Sequence, residues 1–135
     1  IPHERGLAGH SDADVLLHAL VDALLGAAAL GDIGAYFPSS DPQWQGAPSM
    51  AFLSATLALL RERGWRVGNV DATIVAERPR MSPHIAAIRE RLAEGMGIAP
   101  DCVSVKSKTT DGLGFTGRHE GIACYAVALI ERDAA

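Results

Sequence analysis

Four side chains that can ligate or carry protons, His10, Asp14, His18 and Asp22, recur four residues apart in GHSDADVLLHALVDALLGAAALGDIG, residues 9–34. Positions i and i+4 of a helix lie on one side, so imidazoles and carboxylates alternate along one edge if this stretch is helical. Two chemistries fit that edge. One is a partly buried His18 hydrogen-bonded to Asp14 or Asp22. The other is half of a metal site: zinc takes at least three protein ligands, so Asp14 and His18 would need others from elsewhere. The next stretch, GDIGAYFPSSDPQWQGAP at 31–48, holds three glycines and three prolines among polar residues. Its Asp32, Ser39, Ser40 and Asp41 offer carboxylates and N–H groups suited to a ribose, a diol or a hard cation; a solvated turn is the plain alternative. A third stretch, KSKTTDGLGFTGRHEG, runs from Lys106 to Gly121. Lys106, Lys108, Thr109 and Thr110 before a glycine-rich turn read as an anion cradle of ammonium, hydroxyl and N–H donors. The spacing is not that of a P-loop, and the sequence holds no dinucleotide fingerprint, Gly-x-Ser-x-Gly elbow or Cys-x-x-Cys pair. Neither Cys102 nor Cys124 has a neighbouring cation in sequence to depress its pKa, so a thiol nucleophile is not expected.

The elements that must position these residues fit one domain, 1–135. With 135 residues, 48% hydrophobic and 21% charged, the chain can bury one substantial core. A net charge of −4 argues against a nucleic-acid partner. Any phosphorylated ligand must therefore be held locally, by a metal, by backbone N–H groups or by one or two cations. No run approaches the roughly 20 apolar residues of a membrane span, and no basic leader with a cleavage site marks secretion. The cysteines are expected as buried thiols in a reducing compartment rather than as a disulfide.

Ser11 or Asp12 can cap a helix running through Leu30 and ended by Gly31-Asp32. A long loop follows, then a second helix from Pro48-Ser49 to Gly64. A β-branched strand is expected at about 66–76, a third helix from Pro83 to Met96, and two strands in CVSVKSKT and GIACYAVALIE. The order helix, helix, strand, helix, strand, strand predicts an α+β fold with helices on one face of a mixed or antiparallel sheet. The last strand is apolar on both faces, Ile122, Cys124, Ala126, Ala128 and Ile130 on one and Ala123, Tyr125, Val127 and Leu129 on the other. Burial on both sides with helices enough for one implies a subunit interface, so a homo-oligomer is expected. A further strand upstream of Ile1 would thicken the sheet and cover an open edge.

Three separated stretches, GHSDADVLLHALVDALLGAAALGDIGAYFP, ERPRMSPHI and KTTDGLGFTGRHEGIA, resemble the 2-C-methyl-D-erythritol 2,4-cyclodiphosphate synthase family of the non-mevalonate isoprenoid pathway. The similarity runs over essentially the whole chain, in order. It implies a homotrimer with its sheets facing the three-fold axis and active sites between neighbouring subunits. It also implies a divalent metal, usually zinc, and a second cation, magnesium or manganese, on the substrate diphosphate. The implied enzyme is a phosphorus–oxygen lyase that converts 4-diphosphocytidyl-2-C-methyl-D-erythritol 2-phosphate to the cyclic diphosphate and releases CMP. Its setting would be the bacterial cytoplasm or a plant's plastid stroma, without nucleic-acid or membrane partners. A catalytically inactive trimeric module for isoprenoid diphosphates and a metal-dependent phosphohydrolase are the alternatives.

Carried over by resemblance, His18 matches a metal ligand. His10 matches a phosphate-contacting residue that stabilises the transition state, with Ser11 beside it, and Thr109 matches the second such stabiliser. Asp32, Ile33 and Gly34, with Phe37, Pro38, Ser39, Ser40 and Asp41, match the loop around the methylerythritol diol. Ala76, Glu77, Arg78, Pro79, Arg80, Met81 and Ser82 match the segment holding cytosine, and Lys108, Thr109, Thr110 and Asp111 the one at the nucleotide phosphates. Phe115 and Arg118 match the lining of a central cavity where some relatives hold an isoprenoid diphosphate. Asp111 stands where glutamate is common, and Ser39 replaces a frequent acid. The family's other metal ligands, an Asp-x-His pair on an N-terminal strand, would precede the counterpart of Ile1; the chain is expected to be a truncated record of a complete protein.

Overall fold

Leu16, Leu17, Leu20, Val21, Leu24 and Leu25 recur at the three- and four-residue spacing of one helix face, and all six are buried. They form the inner side of α1, His3–Ala27. The computed structural model describes residues 3–76, 82–109 and 122–133, excepting the side chains of residues 3–12 and 82. Helix α1 begins at His3 rather than beside Ser11 or Asp12, so His10 and Ser11 lie within it and not before it. The stretch from His3 to Asp12 contains no proline, and Glu4, Arg5, Leu7 and Ala8 are good helix formers; the backbone continues where a capping side chain was expected. At the other end, Ala29 takes a left-handed φ of 58°. The N–H groups of Ala29 and Leu30 turn back to the carbonyls of Gly26 and Leu25 at 3.0 and 2.9 Å, closing the helix three residues before Leu30.

A single turn, α2 (Ile33–Tyr36), interrupts the following loop, and α3 (Ser49–Glu62) starts after Pro48 and buries Leu53, Thr56, Leu57 and Leu60. Gly64, at φ 79°, supplies the left-handed residue that lets the chain leave α3 for β1, Trp65–Val75. Pro83 lies in a 3-10 turn, Ser82–His84, and the regular helix α4 spans Ile85–Met96. Cys102 closes a second 3-10 turn rather than opening a strand, ahead of β2 (Val103–Lys108); β3 is Ala123–Arg132. Cys102 and Cys124 are half-buried rather than buried and share no disulfide.

The sheet order is β2-β1-β3, with β2 parallel to β1 across the α4 crossover and β3 antiparallel to β1. The mixed alternative is the one realised. Register shifts between Val67 and Asn69, where a side chain on Gly68 would sit 3.2 Å from the Leu129 carbonyl oxygen. This bulge lets both Val67 and Val70 face inward with Ala72 and Ile74, where they meet Val103 and Val105 of β2. Among the described residues, helices cover that face only. Within one chain β3 is therefore buried on one side: Cys124, Ala126, Ala128 and Ile130 pack on the core, while Tyr125, Val127 and Leu129 are 67%, 71% and 61% exposed.

Leu24, fully buried between α1 and its neighbours, tests this arrangement. Leu24→Ala is expected to lower unfolding free energy by about 2–5 kcal/mol, read from the midpoint shift in urea denaturation.

Candidate active site

The outer edge of α1 carries three of the four ladder residues whose side chains are described. Neither flanking carboxylate binds His18. The Ser49 hydroxyl donates to Asp14 Oδ1 at 2.5 Å, and the Ile33 N–H donates to Asp22 Oδ1 at 2.7 Å. His18 is exposed, contrary to a partly buried histidine bonded to its ladder neighbours, and its ring lies edge-on to Phe52 with centroids 5.9 Å apart. Among the described residues the imidazole nitrogens make no hydrogen bond, and the ring is braced by an apolar partner.

The loop 31–48 is not a solvated turn. Phe37 is buried and packs against Trp44 and Phe52 with ring centroids 4.7 and 5.5 Å apart; Trp44 and Phe52 are 5.2 Å apart. Asp32 caps α2 through Ala35 N–H at 3.0 Å, and Asp41 accepts the Gln43 N–H at 3.0 Å. These carboxylates order the loop from within, and Gln45 Nε2 adds a 3.4 Å bond to the Ser39 carbonyl. Asp32, Gly34, Ser39 and Ser40 are exposed, while Ile33, Pro38 and Asp41 are half-buried. The loop therefore presents polar groups outward from an aromatic base. Trp44 and Phe52 were not expected as site-forming residues. The signal available was compositional: with only seven aromatic rings of Phe, Trp and Tyr type in the chain, three fall between 36 and 44 and a fourth at 52.

A second group forms at the carboxyl ends of the parallel strands. Val75 pairs with Lys108, and the buried Ala76 donates its N–H to the Lys108 carbonyl at 3.0 Å. The segments beginning at Ala76 and ending near Ser82, and beginning at Lys108, thus leave the sheet from one joint, the usual place for a ligand in an open parallel array. Lys108 and Thr109 are exposed there. The cradle loses one expected member. Lys106 Nζ binds Asp71 Oδ2 at 2.9 Å on the open sheet face, because β2 places Lys106 beside the strand carrying Asp71. Glu77, Arg78, Pro79, Arg80, Met81, Thr110, Asp111, Phe115 and Arg118 lie outside the described residues, as do the side chains of His10, Ser11 and Ser82.

Among the described residues no three His, Cys, Asp or Glu side chains come together as a metal site. The donor set fits one ligand, His18, and not a complete zinc shell.

The family model described as YgbB matches residues 1–131. The chain belongs to the YgbB family. A Pseudomonas aeruginosa (strain UCBPP-PA14) protein named 2-C-methyl-D-erythritol 2,4-cyclodiphosphate synthase is 62% identical over 130 residues, 96% of this chain and 83% of that one. A solved 2C-methyl-D-erythritol-2,4-cyclodiphosphate synthase in its CDP-bound form superposes with a TM-score of 0.79 at 35% identity, over 85% of this chain and 74% of that one. The bifunctional IspDF of Campylobacter jejuni gives 0.83 at 36% identity over 87% of this chain, which spans 32% of that longer protein. The α+β architecture with its mixed sheet is thus the YgbB-family fold.

Lys106 holds the Asp71 carboxyl below its ordinary value by hydrogen bonding, against the opposing effect of desolvation. A depressed carboxyl stabilises the fold above its unfolded pKa of ~3.9 and stops doing so as pH falls through the folded value. Both side chains are nearly half exposed, so Asp71→Asn is expected to cost at most ~1 kcal/mol at pH 7. Denaturation curves of parent and variant should converge as pH drops below ~4.

Proposed function

We propose that this chain converts 4-diphosphocytidyl-2-C-methyl-D-erythritol 2-phosphate to 2-C-methyl-D-erythritol 2,4-cyclodiphosphate, releasing CMP. One observation carries the reading: 62% identity to a named synthase across 96% of this chain, a span that includes the ladder, the aromatic-based loop and the Ala76–Lys108 joint. The CDP-bound structural relative supports a cytidine nucleotide as the ligand class.

In this reaction an oxygen of the 2-phosphate attacks the β-phosphorus, the bond from that phosphorus to the bridging oxygen breaks, and the α-phosphate leaves as CMP. Both reacting groups belong to one molecule, so the protein needs no nucleophile of its own. Holding the substrate folded supplies proximity worth up to roughly 7–11 kcal/mol. The loop from Asp32 to Asp41 receives the methylerythritol diol on its exposed polar side. The segment from Ala76 to Ser82 takes the cytosine, and Lys108 to Asp111 the nucleotide phosphates. Because these two segments share a joint, they place base and diphosphate in fixed relation. His10 and Thr109 donate hydrogen bonds to oxygens that gain charge, an effect commonly worth ~3 kcal/mol per donor.

His18 supplies one ligand of a divalent metal site, zinc by preference. Such a metal, with magnesium or manganese on the diphosphate, would polarise phosphoryl oxygens.

The open sheet face supports a homotrimer with the three sheets turned inward. Tyr125, Val127 and Leu129 form an exposed apolar strip along β3, the kind of surface that a subunit interface covers. Phe115 and Arg118 would line the central cavity and admit an isoprenoid diphosphate. No helix among the described residues is long and apolar enough to cross a membrane, and bacterial relatives support a cytoplasmic setting.

His18→Ala should abolish bound metal, measured by elemental analysis, together with cyclic product and CMP, measured by phosphorus NMR; full turnover without metal would overturn the assignment. Val127→Asp should convert the assembly to a 14.2 kDa species in sedimentation velocity, and an unchanged trimer would refute the interface.

A further inference from the structure

We propose that Asp14 and Asp22 are positioning residues that clamp the diol loop in register with His18; this rests on the cyclodiphosphate synthase reading above. The two carboxylates stand one helical turn to either side of His18. At 1.5 Å rise per residue their attachment points lie about 12 Å apart along α1, with the imidazole midway. The chain leaves α1 and is tied back to it at once, through Ile33 N–H on Asp22 at 2.7 Å. It is tied a second time at the first residue of α3, through the Ser49 hydroxyl on Asp14 at 2.5 Å. Everything between those ties, residues 33–49, is therefore strapped across the helix edge that carries His18. The middle of the strap is held by Phe37 and Trp44 on Phe52, the same ring that braces His18.

Charge-assisted hydrogen bonds of this kind are short and directional, so they fix position as well as contact. The global fold does not need them. Its α1 contacts run mainly through the buried leucines on the adjoining face of the helix, whereas Asp14 and Asp22 are exposed. Losing a clamp should loosen the loop while leaving the core closed. The loop would then meet the diol in varied positions relative to His18, weakening substrate capture. The nucleotide end, built at the Ala76–Lys108 joint, would be unaffected.

The test uses the intact protein with Asp22→Ala, Asp22→Asn and Ser49→Ala. For Asp22→Ala, KM for the substrate should rise about tenfold with a smaller change in kcat. The Kd for CDP should stay within twofold, and amide hydrogen exchange at 33–37 should accelerate at least tenfold with little change in melting temperature. Asp22→Asn, whose amide oxygen can still accept the Ile33 N–H, should recover most of the KM. Ser49→Ala should raise KM in the same sense. Unchanged KM and exchange in Asp22→Ala would overturn the proposal, and so would a loss of CDP affinity parallel to the rise in KM, which would signal general disruption. If the parent protein formed no cyclic diphosphate, the activity reading would fall, and the clamp would still be decided by the exchange at 33–37.

Discussion

One helix has to serve water and core at once, and the rest of the molecule is arranged around that demand. Apolar burial is worth roughly 25 cal/mol per Å², so the stripe from Leu16 to Leu25 dictates which way α1 turns. Once those leucines face the sheet and α3, the 3.6-residue period leaves Asp14, His18 and Asp22 no choice but the outer edge. The placement of the imidazole is thus a by-product of hydrophobic packing, while Asp14 and Asp22 to either side of it accept hydrogen bonds from the Ser49 hydroxyl and the Ile33 N–H. Chemistry here is placed by the least specific force in the molecule and tuned by the most directional one.

Electrostatics constrains the other end. A chain of net charge −4 that handles a diphosphate has to concentrate positive potential locally, since its overall field repels the ligand. The cross-strand ion pair makes this stricter. Lys106 answers Asp71 on the sheet face, leaving Lys108 as the exposed lysine where β2 ends. Divalent cations, backbone N–H groups and neutral donors such as Thr109 must then carry much of the attraction in the proposed reaction.

Much of the fold was legible because the hydrophobic periods are clean. The leucine stripe announced α1, the β-branched run at about 66–76 announced β1 to within a residue at each end, and Gly64 marked the end of α3. What failed did so for identifiable reasons. The start of α1 was misplaced because Ser11 and Asp12 are good caps by type, yet nothing before them breaks a helix. The loop after α1 looked solvated because its polar residues dominate composition, while its order comes from three rings distant enough in sequence to escape any short window. Lys106 was assigned to an anion cradle because adjacency along the chain was visible and the register opposite Thr73, which sets it beside Asp71, was not. Resemblance located the site segments; tertiary contacts alone could say what Asp14 and Asp22 do.

The backbone bond between Ala76 and Lys108 also limits how this molecule can vary in inheritance. Two segments that depart from one strand junction cannot gain or lose residues at their roots independently, since lengthening either would pull the other out of line. Tolerated insertions belong at the far tips of those segments. Genetic exchange between relatives would succeed most readily when residues 65–109, strand, crossover and strand, travel as a single cassette.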